Sequence, residues 1–401
     1  MKRILIIEDD QIVGTIYRRK FQLEGFEVAL AADGEAGLAA VSAFHPDVVI
    51  LDLMLPRLNG VEVLRRIRAH PDNHQLPVIV MSNAYLSNLV QDATNAGANQ
   101  CLIKANCTPK HILEVIRRTL AQEDPAPAPA PVPAATPDTP DTPPAAVAST
   151  AAAPDEATYQ FGLREAFLAG ASETLSQLRT MLQTFVKGEA DTVRLPALFS
   201  LYRRVHSVTS NAAVAGLTSI SRLCAALEAL LKELYEKPKN INASTTRTIA
   251  QTIDFLGNLF EHSRSTSTEL YAPPNILVVD DEAISRRALI YALEKANLRC
   301  TSLEDPLAAL TLLNDQRYDL ILLDVDMPGL NGFELCTRLR AQPTNAHSPV
   351  IFVTGLADFE SRARSTLSGG NDLIAKPFLF MELALKAITH ILRSLIATPR
   401  A

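Results

Sequence analysis

Short apolar runs alternate with amphipathic segments through residues 1–123. Ile4–Ile7, Val28–Ala31, Val48–Leu51, Val78–Met81 and Cys101–Ile103 predict five strands, and stretches such as Val61–His70 and Thr108–Gln122 predict the helices between them. That alternation implies a parallel sheet covered by helices on both faces. The pattern stops at 124–158, where ten prolines stand among alanines and almost no large apolar side chains. Such a stretch cannot bury enough surface to fold and is expected to be a linker, reaching roughly 100 Å if fully extended as polyproline II. From Tyr159 the apolar period becomes helical. Phe161–Phe185, Leu198–Ala213, Ser219–Tyr235 and Thr245–Ser263 predict an all-α, antiparallel four-helix bundle over 159–266. After a connector around Tyr271–Pro274, the strand–helix alternation resumes at Ile276–Val279 and fills 274–395.

The two α/β segments repeat one another. Val49–Gly60 reads VILDLMLPRLNG and Ile321–Gly332 reads ILLDVDMPGLNG. Asp9 corresponds to Asp281, Asp52 to Asp324, Asn59–Gly60 to Asn331–Gly332, Pro77 to Pro349, Ser82 to Thr354 and Lys104 to Lys376, each pair 272 residues apart. A common offset at so many polar positions marks a domain duplication.

In each copy an apolar strand delivers an aspartate to the carboxyl edge of the sheet, where open α/β folds hold their ligands. Glu8, Asp9 and Asp52 converge there in the first copy, and Asp280, Asp281 and Asp324 in the second. Like charges this close are costly unless a cation is shared, and all-oxygen ligation with room for water suits Mg²⁺. Lys104 or Lys376 adds an ammonium, and Ser82 or Thr354 a hydroxyl. Metal, ammonium and hydroxyl around one carboxylate are what phosphoryl transfer to an aspartate requires.

Both segments resemble response-regulator receiver domains. The resemblance implies a flavodoxin-like five-stranded sheet, Mg²⁺, and phosphorylation of Asp52 and Asp324 from a phosphohistidine donor. It assigns Asp9 and Asp281 to the metal with Glu8 and Asp280 assisting, and Ser82, Thr354, Lys104 and Lys376 to the phosphoryl oxygens. The copies depart from the family pattern unequally. Ala105 follows Lys104 where Pro377 follows Lys376, and Asn83 follows Ser82 where Gly355 follows Thr354. The aromatic residue usual three positions before the lysine is replaced by Cys101 and Leu373. Asp324-Val325-Asp326 also fits the start of a haloacid-dehalogenase-type phosphatase motif, but Pro328 and the first copy's Asp52-Leu53-Met54 do not.

His206 is the bundle's chemical candidate. Leu198, Leu201, Val205, Val208 and Ala212 form an apolar stripe, and His206 falls on its flank, about a quarter-turn from the centre, where a half-exposed side chain is expected. The segment is similar to histidine phosphotransfer (HPt) domains, on the strength of His206, Asn211-Ala212, Gly216-Leu217 and the LEALL ending. Thr209 and Ser210 replace the lysine and glycine of that motif and share the histidine's helix face.

Composition narrows the class further. A net charge of −6 gives no electrostatic case for nucleic acid, and the apolar runs are too short for membrane insertion. Five scattered cysteines without a CxxC pair predict reduced thiols in a cytoplasmic protein. The expectation is a phosphorelay protein of order receiver–HPt–receiver rather than a stand-alone metabolic enzyme. It would take phosphoryl groups from a sensor histidine kinase and exchange them with other receiver or HPt proteins, with Asp–His–Asp transfer through His206 and slow autodephosphorylation. The competing reading is a scaffold in which only the second receiver is phosphorylated and the bundle is a docking module.

Overall fold

Residues 1–83, 87–121, 156–188, 190–266, 273–355 and 365–397 are described in the structure, a computed structural model. The predicted linker at 124–158 lies outside them except for its last residues, which begin a helix at Glu156. The chain clusters into two compact units. One holds Met1–Met81, Asp92–Leu102 and Cys107–Leu163, the other Ser82–Gln91, Ile103–Asn106 and Arg164–Ala401.

The first sheet contains β1 (Arg3–Ile7), β2 (Glu27–Ala31), β3 (Val48–Asp52), β4 (Val78–Ser82) and β5 (Gln100–Ile103), in the order β2-β1-β3-β4-β5. The pairs β1–β2, β1–β3 and β3–β4 are parallel. Strands β3 and β4 are buried at every position, which explains their uninterrupted Val/Ile/Leu composition. Helices α1 (Gln11–Leu23), α2 (Gly34–Phe44), α3 (Gly60–Ala69), α4 (Ser87–Asn95) and α5 (Pro109–Ala121) connect the strands. Asp10 and Asp33 cap α1 and α2 by accepting backbone N–H groups of the first turn.

The bundle region begins with α6 (Glu156–Ala169) and α7 (Ala171–Lys187), followed by α8 (Asp191–Val214), α9 (Thr218–Glu236) and α10 (Ala243–Ser265). The single helix predicted for Phe161–Phe185 is therefore two, interrupted at Gly170. Glycine loses the most backbone entropy in a helix, so a break there is cheap. Helix α7 packs on α8, α8 on α9, α9 on α10 and α10 on α7, closing the expected four-helix ring. The predicted stripe of α8 (Leu198, Leu201, Val205, Val208 and Ala212) is buried inside it.

The second sheet repeats the first. It contains β6 (Ile276–Val279), β7 (Thr301–Leu303), β8 (Leu320–Asp324), β9 (Val350–Thr354) and β10 (Asp372–Ala375), in the order β7-β6-β8-β9-β10. Helices α11 (Ala283–Lys295), α12 (Pro306–Asp315), α13 (Gly332–Arg340) and the long α14 (Phe380–Ala397) flank it. Among the described residues no helix is long and apolar enough to cross a membrane.

Candidate phosphoryl-transfer sites

Parallel register puts the carboxyl ends of β6, β8, β9 and β10 at one edge of the second sheet. Asp280 and Asp281 follow β6, Asp324 ends β8, Thr354 ends β9 and Lys376 follows β10. Asn331 caps α13 by accepting from Glu334 N, and Gly332 lets that helix start against the acceptor strand. A Cβ at Gly332 would lie 2.1 Å from Asp324 O, so only glycine fits; Gly60 meets Asp52 O at 2.2 Å in the same way. The Asn–Gly pair of both copies is thereby accounted for.

At this edge Lys376 Nζ stands 3.1 Å from both Asp280 Oδ2 and Asp324 Oδ2. Asp280 is further held by Glu282 N at 3.0 Å and by the Ser285 hydroxyl, a partner that sequence reasoning missed although Ser285 sits in the first turn of α11. Asp324 is buried, and among the described residues its Oδ1 has no hydrogen-bond partner. Burial raises the Asp324 pKa, the neighbouring Asp280 raises it further, and Lys376 only partly offsets the two. Burial opposes the charge on Lys376, yet Asp280 and Asp324 together push its pKa up, so it remains an ammonium. Asp280, Asp281 and Asp324 each offer an oxygen, all within 4.8 Å of one another. An orphaned buried carboxylate oxygen in an all-oxygen set fits a hard divalent cation. Thr354 is buried beside this edge, and among the described residues nothing lies within 4 Å of where a Cβ of Gly355 would stand.

The first copy brings Glu8, Asp9 and Asp52 equally close, within the same 4.8 Å. Asp52 is fully buried and accepts from Met54 N at 3.0 Å. Ser82 and Lys104 follow the same strand order as Thr354 and Lys376. The segments Ser82–Gln91 and Ile103–Asn106 cluster with the bundle rather than with their own sheet. Within that unit Asn83 Nδ2 donates to Ala225 O at 2.9 Å, and Lys104 Nζ stands 3.5 Å from His206 Nε2 and 3.4 Å from Ser210 Oγ.

His206 is buried at 5% exposure, against the half-exposed flank expected from the helical wheel. The reason lies on the neighbouring helix. Glu228 of α9, itself 1% exposed, places Oε1 3.0 Å from His206 Nδ1 and draws the ring inward. A carboxylate can only accept at that distance, so Nδ1 is the nitrogen that donates to it. The second oxygen, Glu228 Oε2, is buried without a hydrogen-bond partner among the described residues. Thr209 Oγ1 donates to Val205 O in its own helix at 3.0 Å, which turns that hydroxyl away from the role of the absent lysine. Glu228 was not a sequence candidate. The signal available was an acid set among buried leucines in LCAALEALL.

Two acidic sheet edges, one of them holding a lysine, and a buried, carboxylate-held histidine on a four-helix bundle are the features that the comparisons with known families have to explain. The response regulator receiver domain profile matches residues 4–117 and 276–388, and the Hpt domain profile matches 162–258; the chain belongs to the response regulator receiver family. It is 37% identical over 115 residues to the phosphate regulon transcriptional regulatory protein PhoB of Pseudomonas aeruginosa, covering 28% of this chain and 50% of that one. Protein RcaC of Microchaete diplosiphon is 34% identical over 121 residues, covering 30% of this chain and 19% of that one. The chain thus spans between a fifth and a half of the length of these relatives. Among solved structures it is similar to the receiver domain of sensor histidine kinase PA1611 from Pseudomonas aeruginosa, which has magnesium in its active-site cleft. That alignment has 32% identity and a TM-score of 0.29, covering 30% of this chain and 98% of the other.

Proposed function

We propose that Asp324 and Asp52 are phosphoacceptors served by a sensor histidine kinase and that His206 exchanges phosphoryl groups with aspartyl phosphates. The observation that carries this reading is Lys376 shared at 3.1 Å between Asp280 and Asp324, beside an Asp324 oxygen left without a partner. Asp280, Asp281 and Asp324 would hold Mg²⁺ in the second receiver, and Glu8, Asp9 and Asp52 in the first. The ion supplies charge neutralisation for the phosphoryl oxygens. In the acceptor step a carboxylate oxygen of Asp324 bonds to phosphorus while the phosphorus–nitrogen bond of the donor histidine breaks. Lys376 and the Thr354 hydroxyl steady the transferred oxygens. In the relay step His206 Nε2 bonds to phosphorus, an aspartate leaves as carboxylate, and Glu228 stabilises the charge gained by the imidazole through Nδ1–H. Lys104, 3.5 Å from Nε2, brings the ammonium that Thr209 does not.

Labelling by a phosphorylated kinase with Mg²⁺ tests this in the full chain. Asp324→Asn is expected to remove most of the acid-stable, alkali-labile label, and His206→Gln all of the acid-labile, alkali-stable label. Absence of any histidine label, with Asp52 label unchanged in His206→Gln, would end the relay reading. Absence of label at Asp324 with a competent kinase would end the acceptor reading.

A further inference from the structure

At the amino edge of the sheet, opposite the acceptor aspartates, one receiver is filled where the other is hollow. In the second copy Tyr318, just before β8, is 1% exposed and shares the apolar core with Leu313 and Leu339. Its backbone N–H donates to Asn345 Oδ1 at 2.9 Å. The Ser348 hydroxyl donates to the same oxygen at 2.9 Å and to Tyr318 O at 2.7 Å. Asn345, wholly buried, in turn donates to the carbonyls of Leu313 and Gln316 at 2.6 and 2.7 Å.

The 272-residue offset carries Tyr318 to Pro46, Leu313 to Val41, Asn345 to Asn73 and Ser348 to Leu76. Proline brings no phenol ring and no N–H, and leucine no hydroxyl, so both donors to the asparagine oxygen are missing in the first copy. Where the second copy holds its tyrosine, the first has a cleft of about 480 Å³, within the size range of small-molecule sites. Val41, Pro46, Leu76 and Pro77 give it an apolar lining, beside the Asn73 amide. His45, His70 and Asp72 stand exposed at its rim. Asp47 borders it too, but Lys2 Nζ at 3.2 Å and Arg3 N at 2.6 Å already engage its oxygens. The Asp72 side chain is 89% exposed with only the His70 ring near it, at 3.8 Å, so its charge is the one that a ligand meets.

We propose that this cleft binds a small arylalkylamine, one aromatic ring carrying an ammonium two carbons away. The second receiver displays the fit with its own residue. In Tyr318 two carbons separate the ring from the nitrogen that donates to Asn345, and the same skeleton as a free molecule offers the first receiver what Pro46 lacks. The ring covers the apolar lining and removes it from water. The ammonium donates to Asn73 Oδ1, and Asp72 favours its charge. The site is separate from the phosphoryl chemistry: the five residues of β3 put roughly 16 Å of strand between the cleft and Asp52.

Calorimetric titration of the full chain with tyramine, paired with methyl NMR spectra, tests this. Saturable one-site binding is expected, with the methyl signals of Val41 and Leu76 shifting, and both should persist in Asp52→Asn. Asn73→Ala is expected to weaken binding about tenfold, the scale of one hydrogen bond to a charged group. Asp72→Asn should weaken it about threefold, as for an exposed ion pair. Tyrosol, which carries a hydroxyl in place of the ammonium, should bind roughly tenfold more weakly than tyramine. Pro46→Tyr copies the filling of the second receiver and should abolish binding. Should that variant fold poorly, Gln75→Trp plugs the cleft from an exposed position and should abolish binding as well. No saturable binding, or binding that leaves the Val41 and Leu76 methyls unmoved, overturns the proposal, as does binding that survives both filling variants. Equal affinity for tyrosol overturns the amine and with it the ligand class. Loss of tyramine binding in Asp52→Asn assigns the ammonium to the acceptor carboxylates and overturns the cleft.

Discussion

Position by position, α5 of the first receiver and α14 of the second face different worlds. Where α14 has Glu382, Lys386 and His390, all buried, α5 has Lys110, Glu114 and Arg118, all exposed. Where β10 opens with Asp372, which accepts from Lys386 Nζ at 2.7 Å and faces His390 Nε2 at 3.3 Å, β5 opens with Gln100. The loops at the sheet edge differ as well: a Cβ at Gly355 would meet nothing among the described residues, while Asn83 is buried and bonded to a bundle carbonyl. The duplication thus kept the acid, hydroxyl and lysine positions of both copies and changed what each copy packs against. A receiver's site and its outward helix can diverge independently, since the first is fixed by strand ends and the second by one helix face.

The largest expected effect comes from removing the feature present in only one copy. Asp372→Ala strands Lys386 and His390 in a buried place, a loss on the order of 3–5 kcal/mol, whereas Gln100→Ala in the first receiver should cost well under 1 kcal/mol. Denaturant unfolding followed in each variant checks the contrast, and equal losses would remove it. The same cluster gives a pH signature. Burial alone would raise the Asp372 pKa, but His390 and Lys386 hold it far below the usual carboxylate range. A depressed folded value means that its stabilisation is present above the unfolded value of about 3.9 and drains away as pH falls below it. Acid unfolding of wild type should steepen below about pH 4, and Asp372→Asn should flatten that limb.

A second, smaller effect exchanges the loop residues. Gly355→Asn is expected to cut the rate of Asp324 labelling about tenfold, equivalent to about 1.4 kcal/mol in the barrier, by placing a side chain next to Thr354. Asn83→Gly should raise labelling of Asp52. If Gly355→Asn labels at the wild-type rate, a side chain next to Thr354 is irrelevant to the chemistry.

Much of this was legible before any coordinates. The common offset of 272 residues survives because receiver chemistry sits at the ends of parallel strands, each announced locally by an apolar run that stops at an acid, a hydroxyl or a lysine. The four bundle helices were legible from period alone. The break at Gly170 was not, since the apolar rhythm continues across it and only backbone entropy marks the place. The inward turn of His206 was not, because its cause is Glu228 on the next helix, and a wheel drawn for one helix has no view of its neighbour. The all-round apolarity of α14 was visible in the letters, but what covers its second face depends on tertiary packing that no local pattern encodes.

The smallest effect probes the metal. Asp324 is disfavoured as an anion by burial and by Asp280, and one of its oxygens is unpartnered among the described residues, so a divalent cation bound there would relieve a cost already present in the fold. At a Mg²⁺ concentration equal to its dissociation constant the gain is about 0.4 kcal/mol, rising to about 1.4 kcal/mol at ten times that concentration. In metal-free buffer Asp324→Asn should unfold at or above the wild-type midpoint, because the amide keeps the shape and drops the charge while Lys376 keeps Asp280. Adding Mg²⁺ should then raise wild type more than Asp324→Asn, with Ca²⁺-free controls at matched ionic strength. Asp52→Asn should lose its own share of the Mg²⁺ shift, since Glu8 and Asp9 offer the same oxygen set in the first copy. Equal shifts in wild type and both variants would mean that the ion binds elsewhere, and the carboxylate clusters would have to be held by protons or, in the second copy, by Lys376 alone.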